Sequence, residues 1–419
     1  MQKEQNIKKY LTLFALCLTG AVVYELPYLS YGYYDLMLEA FSIDNTQMGT
    51  LMSAYGLVAM LAYFPGGWLA DKYPAKILMI VSLVATGLLG LWISTFPSYP
   101  ILLLIYILWG ISITLPFWAA MLKATRQLGD SSEQGRLFGI LEAGRGLFPV
   151  FYGLIIVWIF NKLGAALGAM RGVFIAYSVL CFFGALVAFL FIKYEKEEGE
   201  RQKGASGKEV LQIIKMPGMW LVALVIFSSY NMYACFSYLT PYMTEFFGLS
   251  DSMGATLYLI RFYAIGVVGG IASGFIADKT GSNARVIAIV FLIAIAGLIG
   301  FLVVPTGPAN LIMVIIALFV VAIGIFMSRG IYFATIDELN IPMHLTGAAI
   351  GFASVIGFMP EAFVYTLVGN WLDTYPGTQG YHILFIYMLV FAVVGTAAAF
   401  VLYRRIKKQK TNPAKEISQ

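Results

Sequence analysis

Long apolar runs follow one another along nearly the whole chain, separated by short polar stretches. Crossing a bilayer takes about 20 predominantly apolar residues. The runs predict helices near 11–34, 46–70, 77–95, 101–122, 137–160 and 172–192, then near 219–242, 254–277, 285–304, 309–333, 346–369 and 381–403. Between the two sets lies Lys193–Gly218, the one long polar interruption, which reads as a solvated linker. The expected organisation is an N-terminal six-helix bundle over 1–192, a linker over 193–218, a C-terminal six-helix bundle over 219–404 and a tail over 405–419. The fold class expected is an all-α polytopic membrane protein, its 12 transmembrane helices in two pseudo-symmetric bundles.

Composition sharpens this. The chain is 60% hydrophobic and 12% charged, whereas soluble domains carry about 25% charged residues. That difference excludes a water-soluble enzyme of this length. Its 31 Phe, 26 Tyr and 7 Trp exclude disorder. The net charge of +5 matters through its placement. Of 27 Lys and Arg, 22 lie in the N-terminal segment, the linker, the tail and alternate loops, and only Lys162 and Arg171 lie in the others. Positive residues concentrate on the cytoplasmic side, so both termini are expected there, in a plasma or inner membrane. The opening basic residues Lys3, Lys8 and Lys9 precede an apolar run that continues to Tyr34 without a small-residue cleavage site, which reads as a retained first span.

Cys17, Cys181 and Cys235 lie within apolar runs without metal-ligand spacing, and His344 and His382 are too few and too far apart for a metal site. No P-loop, GxSxG, HExxH or CxxC is present. The expectation is a protein that is no enzyme, with no cofactor, no metal, no intrinsic ATP drive and no nucleic-acid partner. Gly144-Arg145-Gly146 and Gly269-Gly270 read as close-packing positions within spans.

The halves repeat. Gly66–Lys72 (GGWLADK) matches Ser273–Lys279 (SGFIADK), and Ser30-Tyr31 matches Ser237-Tyr238, both at an offset of 273 − 66 = 207. The loop Gly67-Trp68-Leu69-Ala70-Asp71-Lys72-Tyr73-Pro74-Ala75-Lys76 resembles the loop between helices 2 and 3 of the major facilitator superfamily, with Pro74 and Ala75 departing from its Gly and first basic residue. A second copy begins Gly274-Phe275-Ile276-Ala277-Asp278-Lys279. The resemblance implies a monomeric secondary transporter with parallel six-helix halves and a site between them. The loop reads as a conformational latch: Gly67 and Gly274 allow close helix approach, Asp71 or Asp278 can meet a helix N-terminus, and Lys72, Lys76, Lys279 and Arg126 are candidate ion-pair partners.

Six charges fall well inside predicted spans: Glu25, Glu142, Arg145, Arg261, Arg329 and Glu361. Each costs at least about 2.5 kcal/mol at mid-membrane, so each is expected to face protein or a water-filled cavity. Arg261 and Arg145 are the leading candidates for binding an anion. Arg329 either joins them, snorkels, or pairs with Asp337 or Glu338. Tyr24, Tyr28, Tyr230 and Asn231 are candidate hydrogen-bond partners of a substrate, whereas Tyr33, Tyr34 and Tyr242 read as an interfacial belt. Glu142 and Arg145, three apart, share a helix face and can pair. Glu25, Glu361 and Glu142 are candidate proton carriers, because burial and a nearby arginine drive a carboxyl in opposite directions. Pairing of Arg261 with Glu25 or Glu361 is the static alternative. Pro27 and Pro360 flank two of these acids, so both should sit where a span is broken.

Superfamily permeases for nitrate and oxalate also carry an arginine on helix 8. The second arginine of the nitrate group, on helix 2, is absent, as are the arginines on helices 1 and 7 of sugar-phosphate exchangers. Neither substrate is assigned. The expected function is alternating-access transport of a small organic anion with coupled protons. An exporter of amphipathic or cationic compounds, and a non-transporting receptor on the same scaffold, are the alternatives.

Overall fold

The computed structural model describes residues 2–129, 133–192, 207–339, 341 and 345–411. His344, most of the linker and the end of the tail lie outside the described residues. Helices dominate, and no strand occurs among the described residues. α1 runs Gln2–Val22 and resumes as Ser30–Phe41. It is followed by α2 (Asn45–Lys72), α3 (Ala75–Ile93), α4 (Tyr99–Arg126), α5 (Gln134–Lys162) and α6 (Leu167–Phe191). After a short helix at Gly207–Lys215 come α7 (Pro217–Phe247), α8 (Asp251–Thr280), α9 (Asn283–Val303) and α10 (Leu311–Ile331). α11 is Thr346–Gly357 resuming as Val364–Thr374, and α12 is Thr378–Thr411.

Ten of these are long and apolar enough to cross a membrane, and α2, bent by 52° at its Pro65, makes eleven. The twelfth is α1, which its break divides. Large apolar side chains face outward throughout, Phe151, Trp158, Phe275 and Ile312 among them. In a bilayer that surface meets lipid rather than water.

The chain divides into two compact units. The first comprises Met1–Gly199, Thr240–Val267 and Tyr365–Asp373; the second comprises Glu200–Leu239, Val268–Val364 and Thr374–Gln419. Glycines set the close helix contacts inside each. In the first, a Cβ on Gly66 would stand 2.7 Å from the Leu115 carbonyl oxygen, and Gly144, Gly146 and Gly153 of α5 accept Cys17, Val267 and Leu259. In the second, Gly330 lies against Gly270 of α8. Gly67 and Gly274, expected to serve this purpose, have open space where a Cβ would stand. Helical geometry explains the shift: the glycine that meets a neighbour is Gly66, one position earlier and so on another face of α2.

The tyrosine belt also needs correcting. Tyr33, Tyr34 and Tyr242 are buried, at 4%, 5% and 1% exposure. Tyr33 packs on Phe160, Tyr34 donates to Asn45 Oδ1 at 2.9 Å, and Tyr242 lies among Phe246 and Phe247.

Candidate functional site

α1 breaks over residues 23–29. Pro27 has no N–H to donate and its ring crowds the preceding turn. The backbone responds with tight bonds three residues back, Glu25 N–H to Val22 (3.3 Å), Tyr28 to Glu25 (3.1 Å) and Tyr31 to Tyr28 (3.0 Å). This geometry turns Glu25 inward, and its exposure is 0%. Tyr263 of α8 donates to Glu25 Oε1 at 2.6 Å, and Tyr152 of α5 donates to the same oxygen at 3.1 Å. Tyr258 meets the Tyr263 hydroxyl at 2.9 Å. Glu25 Oε2 has no hydrogen-bond partner, and among the described residues no cation pairs with this carboxyl. The static pair of Glu25 with Arg261 is therefore not formed.

α8 is itself irregular where it meets this acid. Residues Ile260–Ala264 form a π-helical turn, a wider turn found frequently at functional sites. It lets Tyr258 and Tyr263, five apart, meet hydroxyl to hydroxyl. The repeat counterpart of Arg261, Ala54, lies in α2, where no such widened turn occurs. Arg261 is fully buried on this turn. Its Nη2 donates to the Thr240 hydroxyl and to the Tyr31 carbonyl oxygen, the latter at 3.4 Å. Thr240 donates to the same carbonyl at 3.2 Å. Tyr31 in turn bonds the Tyr365 hydroxyl and packs on Phe262 and Tyr258. Tyr28 stacks edge-on against Tyr31 and Tyr55.

Arg145 and Glu142 do form the expected pair, Nη1 to Oε1 at 2.7 Å, with Glu142 exposed. Arg145 Nε also donates to the Gly20 carbonyl at 3.3 Å, and the guanidinium lies over Tyr24 (5.5 Å) and Trp118 (5.0 Å). Cation–π contacts of this kind hold a guanidinium by its face and leave edge N–H groups for other acceptors.

In the second unit Arg329 lies over Tyr233 at 3.8 Å and Tyr230 at 4.8 Å. Its Nη1 has no hydrogen-bond partner, and no described carboxylate lies within ion-pair distance. The expected pairing with Asp337 or Glu338 is not formed. Glu338 instead takes the Asn283 backbone N–H, the Asn283 side-chain amide (3.0 Å) and the Ser282 hydroxyl (3.3 Å), at the start of α9. Tyr230 donates to Glu361 Oε2 at 3.5 Å. Glu361 lies in the 3₁₀ turn Met359–Ala362 that breaks α11 beside Pro360. Asn231 donates to the Phe227 carbonyl (2.8 Å) and accepts from Tyr387.

The latch residues stand apart. Asp71, Lys72, Asp278 and Lys279 are exposed. Neither aspartate makes a hydrogen bond or ion pair among the described residues. Lys72 folds over Trp68 at 4.1 Å, and Arg126 offers its carbonyl to Gln134 at 2.9 Å. Two carboxylates among the described residues meet the N-terminus of α2: the N-cap Asp44, which accepts from the N–H of Gln47 (2.7 Å), and Asp373, which accepts from the N–H of Asn45 (3.2 Å) and of Thr46 (2.7 Å). Sequence reading missed Tyr152, Thr240, Tyr365, Tyr387 and Asp373 as partners. Only the charge of Asp373 stood out in the sequence, while a tyrosine or threonine in an apolar run carries no mark.

Spans broken beside acidic residues, one of them fully buried, and arginines of apolar helices held by aromatic faces, are features of a protein that carries solutes across a bilayer. The chain belongs to the Major Facilitator Superfamily, whose family model matches residues 12–365, and it is an integral membrane transporter. It is similar to Inner membrane protein YqcE of Escherichia coli (strain K12), 29% identical over 98% of this chain and 99% of that one. It is also similar to a Hexuronate transporter of Bacillus subtilis (strain 168), 24% identical over 78% of this chain and 81% of that one. Among solved structures, a bacterial homolog of the human lysosomal transporter Spinster, inward-facing and unoccupied, superposes with a TM-score of 0.79 at 16% identity, covering 96% of this chain and 98% of that one. That likeness confirms the fold.

Proposed function

We propose that this protein is a secondary transporter of the cell's inner membrane, both termini cytoplasmic, that moves a small organic anion by alternating access with coupled protons. Arg329 carries the reading. A guanidinium in the last turn of α10, held by two tyrosine faces, with a free N–H and no ion-paired carboxylate among the described residues, is a site for a carboxylate or similar anion. Within the first unit Arg261 and Arg145 are further anion-binding candidates with Tyr24 and Tyr28, and within the second Tyr230 and Asn231 are candidate polar partners. The relative named a hexuronate transporter supports a carboxylate-bearing substrate of sugar size.

Glu25 is the proton site. This fully buried carboxyl has two tyrosine donors and, among the described residues, no cation paired with it, so a proton is what neutralises it. Glu361 is a second candidate, and Glu142, exposed and paired with Arg145, is the weakest of the three.

Purified protein in proteoliposomes tests this with labelled glucuronate and an imposed pH gradient. Glucuronate uptake that Arg329→Ala reduces at least about tenfold, a loss of some 1.4 kcal/mol of binding, supports the reading. Uptake of organic cations instead, insensitive to Arg329, would establish the exporter alternative.

A further inference from the structure

We propose that Tyr263 is the positioning residue that couples the proton state of Glu25 to the setting of Arg261. The inference rests on the proton-site reading of Glu25 given above and adds the route by which that site acts.

Tyr263 and Arg261 lie two residues apart on the π-helical turn Ile260–Ala264. Tyr263 holds that turn to Glu25 of α1 at 2.6 Å. Arg261 holds the same turn to Thr240 and to the Tyr31 carbonyl oxygen. Both anchors lie in the first unit. The titratable groups facing Glu25 are Tyr33 from α1, Tyr152 from α5, Tyr177 and Cys181 from α6, and Tyr263 from α8, with Tyr258 behind it. None of these is a cation.

A tyrosine hydroxyl both donates and accepts. With Glu25 ionised, Tyr263 donates to the carboxylate, and a bond to an ionised acceptor is roughly twice as strong as a neutral one. When a proton arrives at Oε2, the oxygen without a partner, the bond from Tyr263 to Oε1 becomes an ordinary neutral one. The Tyr263 hydroxyl is then freer to turn toward Tyr258. One proton thus weakens the tether on the turn that carries Arg261. π-Helical turns lack the regular α-helical bonding that would resist a change of register, so relaxation there displaces Arg261 relative to Thr240. Tyr152 grips the same carboxyl oxygen from α5 and is not part of the turn that carries Arg261, which makes it the internal control.

Hydrogen–deuterium exchange on the full-length protein in detergent, corrected for intrinsic rates, reads this without a substrate. In the wild type, exchange across the α8 segment around residues 258–266 should step up by at least about threefold as pH falls through the titration of Glu25, reflecting a shift between two states of the turn. Glu25→Gln and Tyr263→Phe should abolish the step, and Tyr152→Phe should keep it. If Tyr263→Phe does not fold, Tyr258→Phe carries the test, with the step reduced at least about twofold because the second acceptor is gone. A step that survives in Tyr263→Phe, or one undiminished in Tyr258→Phe where that variant carries the test, overturns the proposal. So does a step lost equally in Tyr152→Phe, or a wild type without one. Failure of glucuronate transport with the α8 step intact would instead count against the substrate reading alone.

Discussion

α1 and α11 break for the same local reason and end in different surroundings. Each has a glutamate within two residues of a proline inside an apolar run, and each loses its helical ladder there. Glu25 is sealed among tyrosines without a cation, whereas Glu361 is partly exposed and bonded to a tyrosine that lies under Arg329. One acid has only a proton to balance it. The other shares its tyrosine with a guanidinium that has a free N–H. A proline beside a glutamate predicts where a span breaks; what the acid then does is decided by the residues that neighbouring helices bring to it.

The difference ranks the expected effects. Glu25→Gln should have the largest, cutting pH-gradient-driven accumulation of glucuronate about a hundredfold or more while homoexchange of the same solute persists. Arg329→Ala should come next, raising the apparent KM for the anion at least about tenfold, whereas Arg329→Lys restores charge without the planar stacking and recovers only part of it. Glu361→Gln should shift substrate affinity by no more than about threefold and leave the response to a pH gradient in place, since a neutral amide still accepts from Tyr230. The smallest effect should come from Asp373→Asn. It keeps the acceptor oxygen at the start of α2 but loses the charge, and should lower thermal stability in detergent by a few tenths of a kcal/mol to about 1. Equal loss of coupling in Glu25→Gln and Glu361→Gln would erase the contrast between the two breaks.

The fold was legible because membrane spans declare themselves by length and hydropathy, and because the repeated GGWLADK and SGFIADK segments mark the second helix of each half. The two breaks were legible from Pro27 and Pro360, and the pairing of Glu142 with Arg145 from their spacing. Much else was not. The π-helical turn at Ile260–Ala264 has no proline or glycine inside it to announce it. Tyr152 and Tyr263 reach Glu25 because Gly146 and Gly153 let α5 lie close to α8, a tertiary consequence of small residues that look ordinary in the chain. Tyr33, Tyr34 and Tyr242 misled because a tyrosine near a span end suits an interface and a packed core equally well. Asp71 and Asp278 sit in the recognisable loops yet are exposed, while Asp373 and Glu338, outside any motif, cap helix starts.

The most direct measurement is accumulation of labelled glucuronate by proteoliposomes under an inward proton gradient, wild type against Glu25→Gln. The account predicts concentrative uptake by the wild type and only gradient-independent exchange by the variant. Equal accumulation by both, or no glucuronate movement by the wild type, would contradict it.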